Sequence, residues 1–161
     1  MSDIAVRRGG CGPDCVEGIL RGLPEWFGIE AALVEYVEQA RVLPTYAAVA
    51  DGRAVGVALV RRHSEHAAEI VLLAVARTHH RRGIGRRLLA RIEADLAGDG
   101  VEFLQAKTLG LSHPAPEYEH TRRFYAAVGF RALEELEGLW PDNPCLLMVK
   151  HLPAAVRDIR P

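Results

Sequence analysis

The chain has 161 residues, 49% of them hydrophobic, enough apolar material for one core and one domain. Twenty basic residues against twenty-one acidic ones leave a formal charge of -1, so bulk charge excludes a general polyanion binder and any positive site must be local. Three cysteines, Cys11, Cys15 and Cys145, are too few and too unevenly spaced for a disulfide framework, and Cys11 and Cys15 read as ordinary thiols.

The opening "MSDIAVRRGG" lacks the apolar stretch of a leader, and no apolar run approaches the roughly 20 residues that cross a bilayer, so a soluble, cytoplasmic protein without membrane contact is expected. In chain order, Ile4–Arg7 reads as a short strand and "GGCGPD" as a turn, with Asp14 as N-cap of a helix that begins near Cys15 and stops by Leu23-Pro24. "EWFG" is a loop exposing Trp26 and Phe27. Ile29, Leu33, Val34 and Val37 then recur at helical spacing to about Ala40. Asp51-Gly52 between two β-prone runs predicts a hairpin, and Ala68–Val75 a further buried strand.

From Gly83 onward, Ile84, Leu88, Leu89, Ile92 and Leu96 follow one face of a helix that ends at the "GDG" of 98–100 and spans about 22 Å at 1.5 Å per residue. "VEFLQAKTL" is the next strand, and a crossover helix of that length predicts that it runs parallel to Ala68–Val75 in a βαβ unit. The loop "GLSHPAPEY" leads to a helix from about Glu119 to Val128, closed by Gly129, and then to strands near Ala132–Leu136 and Cys145–Lys150. The expected fold is α/β (α+β): one domain over 1–152, a mixed sheet of about six to seven strands with about four helices, in the order β-α-α-β-β-β-α-β-α-β-β. Residues 153–161 form a tail with little to pack.

The stretch "HHRRGIGRRLL" places two glycines among four arginines at the point where a strand gives way to a helix. A helix N-terminus offers unpaired N–H groups and a positive dipole end, and glycines let a ligand approach the backbone, so the turn reads as a phosphate or pyrophosphate cradle. An ordinary glycine turn before a helix is the bland alternative. A Walker A loop is absent, and a dinucleotide fingerprint would need Gly or Ala where Leu88 stands, which disfavours nucleotide hydrolysis and NAD.

"LLAVARTHHRRGIGRRLL" resembles motif A of the GNAT N-acetyltransferases, Arg/Gln-x-x-Gly-x-Gly/Ala, and "TRRFYAAVGF" resembles the motif B helix of the same family. The resemblance spans most of the chain, since the element order is also the GNAT order. It implies that the anion is the pyrophosphate of acetyl-CoA, held mainly by the backbone N–H groups of Arg82, Gly83, Ile84, Gly85 and Arg86, with Arg81 and Arg87 near the phosphates. Two positions depart from the family: the leading Arg/Gln of motif A is His80, and the Asn that motif B often carries seven residues before its Tyr is Tyr118.

Amine acetylation needs a neutral amine, a polarised thioester carbonyl and a proton for the departing thiolate. By the resemblance, Tyr125 donates that proton, and backbone N–H groups of the Leu73-Ala74-Val75 segment, those of Leu73 and Val75 foremost, hold the acetyl carbonyl where the strand splays from its neighbour. Glu69 is placed as the general base; a strand-end charge facing solvent is the equal alternative. Alternation puts Glu69 with Val71, Leu73 and Val75 on one face, among apolar neighbours. Trp26, Phe27, Ser112, His113 and Trp140 fall in loops that would border an acceptor pocket, although both tryptophans could equally be core.

His63 and His66 lack metal-site spacing and read as solvated, so no metal is expected. The function implied is transfer of acetyl from acetyl-CoA to a primary amine of a small molecule or peptide within a ternary complex, with a homodimer in keeping with relatives. A non-catalytic acyl-CoA binder is the alternative; nucleic-acid binding by Arg77, Arg81, Arg82, Arg86, Arg87 and Arg91 ranks below both, because no nucleic-acid motif accompanies the stripe.

Overall fold

The computed structural model of the protein describes residues 3–154; the tail expected at the C-terminus falls outside them from residue 155. Seven strands and four α-helices follow in the order β1 (Ile4–Arg8), α1 (Pro13–Arg21), α2 (Glu30–Gln39), β2 (Thr45–Ala50), β3 (Arg53–Arg62), β4 (Ala67–Val75), α3 (Ile84–Gly98), β5 (Phe103–Leu109), α4 (Pro116–Ala127), β6 (Arg131–Trp140) and β7 (Asn143–His151). They form one sheet in the spatial order β1-β2-β3-β4-β5-β7-β6. All neighbours are antiparallel except β4 and β5, which α3 connects as the expected crossover.

Local chemistry accounts for the turns. Asp51 and Gly52 both take positive φ, 50° and 76°, the pair of left-handed residues that a two-residue hairpin requires. Gly129, φ 103°, closes α4: its N–H reaches the Ala126 carbonyl while the Phe130 N–H reaches back to Tyr125 O at 2.9 Å. That closure seats Phe130, 1% exposed, against the Tyr125 ring at 5.1 Å.

The sheet separates two apolar layers. Ile84, Leu88, Leu89, Ile92 and Leu96 of α3, with Tyr125 of α4, pack on one face against Ala58, Ile70, Leu104 and Met148. Val16, Ile19 and Leu20 of α1, with Leu33 and Val37 of α2, pack on the other against Val57, Leu59, Leu72 and Ala74. Gly56 of β3 lets α3 sit close, since a Cβ there would lie 3.1 Å from both Ile84 and Leu88.

Several expectations need correction. The N-cap of α1 is Gly12 rather than Asp14, because Pro13 takes the first helical position, where its missing N–H costs nothing. Cys11 and Cys15 are disulfide-bonded rather than free: Gly9 and Gly10, at φ 79° and 83°, turn the chain so that Cys11 lies one helical turn from Cys15, Cα to Cα 5.2 Å, leaving only Cys145 as a free, buried thiol. Helix α4 starts a turn early, at Pro116, with Glu117 and Glu119 favourably placed on its positive end. The last two strands are longer than expected and form one hairpin, so Trp140 ends a strand instead of lying in a loop.

Candidate active site

Strands β4 and β5 hold together only from Ala67↔Phe103 to Ile70↔Ala106; beyond that register they diverge. A register shift of β3 against β4, with Leu59 opposite Leu72 and Val60 opposite Ile70, inserts Val71 as an extra residue in β4. This bulge breaks the expected alternation. Leu73 and Val75 pack toward α3 and α4, whereas Val71, Leu72 and Ala74 pack toward α1 and α2. Past the bulge, the Ala76 N–H donates to Val55 O at 2.8 Å, so the alternate residues Ala74 and Leu72 also turn their N–H groups toward β3. Those of Leu73 and Val75 consequently face the gap, where no strand is paired with them.

The mouth of the gap is the glycine-arginine turn. Arg81 and Gly83 are both left-handed, φ 62° and 73°, and Gly83 is the N-cap of α3 without any side-chain cap. Among the described residues, no backbone carbonyl outside the helix takes the N–H of Gly83, Ile84, Gly85 or Arg86. Nothing lies within 4 Å of where a Gly83 Cβ would stand. At Gly85 a Cβ would come within 3.2 Å of the Phe124 ring, so this glycine also lets α4 pack against the start of α3.

The arginines divide in two. Arg77 pairs with Glu25, Arg87 donates to the Ile4 carbonyl, and Arg91 binds Asp95 and the Val6 carbonyl. Arg87 is thus tied to β1 rather than placed at the turn. Arg81, Arg82 and Arg86 are exposed and have no side-chain partner among the described residues.

His80 is half-buried, and its Nε2 meets Val75 O at 2.6 Å; a carbonyl can only accept, so Nε2 carries the proton. Its ring meets Trp26 edge to face at 5.8 Å. Trp26 in turn donates Nε1–H to the Glu117 carbonyl, and Tyr118 donates its hydroxyl to the Trp26 carbonyl at 2.6 Å. Trp26 therefore ties the α1–α2 loop to α4, and Tyr118 has its hydroxyl engaged with this chain. Phe27 stands edge to face with Tyr36 of α2. Ser112 and Trp140 line a separate cavity of about 470 Å³ with Glu137, Leu139 and Asp142; Ser112 donates to Glu135, and His113 Nδ1 accepts the Ala115 N–H. The five expected acceptor residues thus form two groups.

Glu69 lies on the α1–α2 side of β4, and its side chain is 7% exposed. Its neighbours are not apolar as expected. Oε1 accepts from Lys107 Nζ at 3.0 Å and from His63 Nε2 at 2.7 Å, which makes His63 a fixed partner rather than a solvated side chain. Both donors converge on Oε1, leaving Oε2 with no hydrogen bond among the described residues. Burial, followed by the charges of Tyr36 and Glu69 nearby, raises the Tyr125 phenol well above an ordinary tyrosine. Burial raises Tyr36 to about 12, with Tyr118, Glu69 and Cys145 adding to it. The phenols of α2 and α4 and the carboxylate of β4 thus occupy one electrostatic neighbourhood. The Tyr125 hydroxyl has no hydrogen-bond partner among the described residues and is not one of the buried unpartnered oxygens, so it opens on accessible space.

Sequence reasoning missed Lys107, His63, Tyr36 and Cys145 as members of this cluster. One signal was present: Lys107 and Lys150 are the only lysines among twenty basic residues.

The family model for the acetyltransferase (GNAT) domain matches residues 32–132. The chain belongs to the GNAT acetyltransferase family. Solved GNAT structures share its fold over nearly the whole length. A protein from Desulfovibrio desulfuricans assigned to the family superposes with a TM-score of 0.82 at 21% identity, covering 94% of this chain and 100% of that one. An aminoglycoside 6'-N-acetyltransferase complexed with coenzyme A gives 0.74 at 21% identity, over 95% and 99%. A GNAT acetyltransferase from Elizabethkingia anophelis with acetyl-CoA bound gives 0.71 at 17%, over 92% and 98%. No curated protein sequence matches the chain. The described helices include none long and apolar enough to cross a membrane.

Proposed function

We propose that the protein transfers an acetyl group from acetyl-CoA to a primary amine by direct transfer within a ternary complex. The observation that carries this reading is the split between β4 and β5 beyond Ile70↔Ala106, opening directly beneath a turn whose amides at 83–86 are unclaimed. Acetyl-CoA would supply the thioester.

The chain's own groups fit such a ligand. Amides 83–86 and the free guanidinium groups of Arg81, Arg82 and Arg86 match a pyrophosphate in both charge and donor direction. The gap-facing N–H groups of Leu73 and Val75 are donors where an acetyl carbonyl gains negative charge, and such donors are worth roughly 3–4 kcal/mol each when preorganised. Tyr125, protonated and open to the cleft, serves as the proton source for the thiol. Glu69 Oε2 is the oxygen left to take a proton from the amine, because Lys107 and His63 hold Oε1.

Calorimetric titration with acetyl-CoA tests the first premise: saturable binding at micromolar concentration is expected, and none at high micromolar concentration would remove it. A panel of primary amines with a free-thiol readout then tests transfer. Binding of acetyl-CoA without thiol release for any amine would turn the reading toward a non-catalytic acyl-CoA module.

A further inference from the structure

The segment Cys11-Gly12-Pro13-Asp14-Cys15 puts a sulfur on either side of a helix start. Cys11 precedes the N-cap Gly12 and Cys15 is the third residue of α1, so the disulfide between them crosses that first turn. Gly12 offers no side-chain cap, Pro13 has no N–H, and the N–H groups of Asp14 and Cys15 have no acceptor among the described residues. Both sulfurs therefore sit where a helix presents its positive end. Arg7 adds a cation: its Nε lies 2.9 Å from where a Cβ of Gly10 would stand, immediately before Cys11. Of the carboxylates here, Glu17 is paired with Arg21, and the exposed Asp14 is the opposing charge in the turn. Thiolates are stabilised in such surroundings, and a disulfide whose reduced form is stabilised opens readily.

The fold does not depend on the bond. It joins residues at a sequence separation of 4, and the stabilisation that a disulfide gives grows with the length of the loop it closes. Other contacts hold the corner and the helix: the Gly9 N–H donates to Thr45 O at 2.7 Å, Val16, Ile19 and Leu20 are buried, and Arg21 donates twice to Glu30 at 2.8 and 3.0 Å. The two cysteines differ in access. Cys11 is 3% exposed and belongs to the core under α1 and α2, whereas Cys15 is partly exposed at its rim. An incoming thiol meets Cys15 first.

We infer that Cys11–Cys15 is a redox-active disulfide that exchanges with small thiols, attacked at Cys15 and released at Cys11. A first thiolate forms a bond to Cys15 Sγ as the Sγ–Sγ bond breaks, and the electron pair leaves on Cys11 Sγ at the open start of α1. A second thiolate attacks the small-molecule sulfur of this mixed disulfide, and Cys15 leaves as the thiolate; the two protein sulfurs take up the protons the small thiols gave. Two small thiols are thus oxidised to one disulfide while the protein disulfide gains two electrons. If Cys11 attacks Cys15 Sγ before the second thiol arrives, the first is expelled and the bond re-forms. The ligand class is a monothiol such as glutathione, and the inference stands independently of the acetyl-CoA reading.

The test equilibrates the full-length protein in mixtures of reduced and oxidised glutathione, quenches in acid, alkylates the unfolded chain and reads each cysteine by peptide mass spectrometry, with Cys145 as the reference thiol. Cys11 and Cys15 are expected to pass from paired to alkylated in about 10 mM reduced glutathione and to pair again when oxidised glutathione is added. The reduced protein should keep a cooperative melt, lowered by no more than about 8 °C. Cys11→Ser should accumulate glutathione on Cys15, because the resolving sulfur is gone. Cys15→Ser should leave Cys11 of the folded protein at least about tenfold less reactive. A disulfide that glutathione opens only in denaturant, equal reactivity of the two variants, or cysteines that stay reduced in oxidised glutathione would overturn the inference. Loss of the cooperative melt on reduction would overturn it too, and the double variant Cys11→Ser/Cys15→Ser repeats that melt with neither thiol present to mispair.

Discussion

Replacing Tyr125 by Phe separates chemistry from architecture. The ring packs against Phe124 at 5.4 Å and Phe130 at 5.1 Å, and both contacts survive the substitution. The hydroxyl has no hydrogen-bond partner among the described residues and is not fully closed off, so its removal should change stability by no more than about 1 kcal/mol, or roughly 2–4 °C in a protein of this size. Burial holds the phenol protonated throughout the working pH range, so it can act as an acid, a role typically worth 10²–10⁴-fold in rate. Thermal melts, paired with free-thiol release at saturating acetyl-CoA and amine, should therefore give near-wild-type melting, acetyl-CoA affinity within about threefold, and kcat lower by at least about 100-fold. A kcat within about threefold of wild type would clear Tyr125 of the acid role. A loss of much more than about 4 °C would mean that the hydroxyl is bonded, undoing the basis on which it was called available.

Three further outcomes follow from the same geometry. Gly83→Ala forces a side chain into φ 73°, which costs about 1 kcal/mol of stability, and puts a methyl group on the open side of the turn; acetyl-CoA affinity measured by calorimetry should fall about tenfold or more, and retained affinity would argue against the cradle. Glu69→Gln should lower kcat about 100-fold with the KM for acetyl-CoA little changed, and an equal rate would point to another base. Tyr36 and Tyr46 are both raised from 10.0 to about 12, by burial first and then by Tyr118 and by the hydrogen bond to Asp95 respectively. The folded state therefore keeps protons that the unfolded chain releases above pH 10, so stability present below about pH 10 is lost as pH rises toward 12. At about 1.4 kcal/mol per unit, Tyr36 alone accounts for roughly 2–3 kcal/mol at the top of that range, and denaturant melts of Tyr36→Phe should show a shallower alkaline decline than wild type. Superimposable declines would refute the assignment.

What was legible in the sequence had a local cause. The periodic face of α3, the Asp51-Gly52 turn, the closing Gly129 and the glycine-arginine turn each depend on residues within a few positions of one another. The parallel β4–β5 pair followed from the length of the crossover. The rest depended on partners far apart in the chain. Nothing in "AEIVLLAV" marks Val71 as a bulge, because all its residues suit a regular strand, and without the bulge Glu69 falls on the same face as Leu73. Lys107 meets Glu69 only because β4 and β5 pair at Glu69↔Gln105, and His63 meets it only through the β3–β4 turn. The disulfide was hidden for another reason: a C-x3-C spacing is ordinary, and it closes here because Gly9 and Gly10 adopt backbone angles that composition does not reveal. The start of α4 could have been placed, since Pro116 followed by two acidic residues is a helix-opening pattern.

The most direct test of the cleft is an amide NMR titration of the wild-type protein with acetyl-CoA. Saturable shifts should be largest at the N–H groups of Gly83, Ile84, Gly85 and Arg86 and of Leu73 and Val75, the two sets left open by the turn and by the parting of β4 from β5. Binding that saturates while those amides stay still, or shifts centred on another face of the sheet, would contradict the central claim.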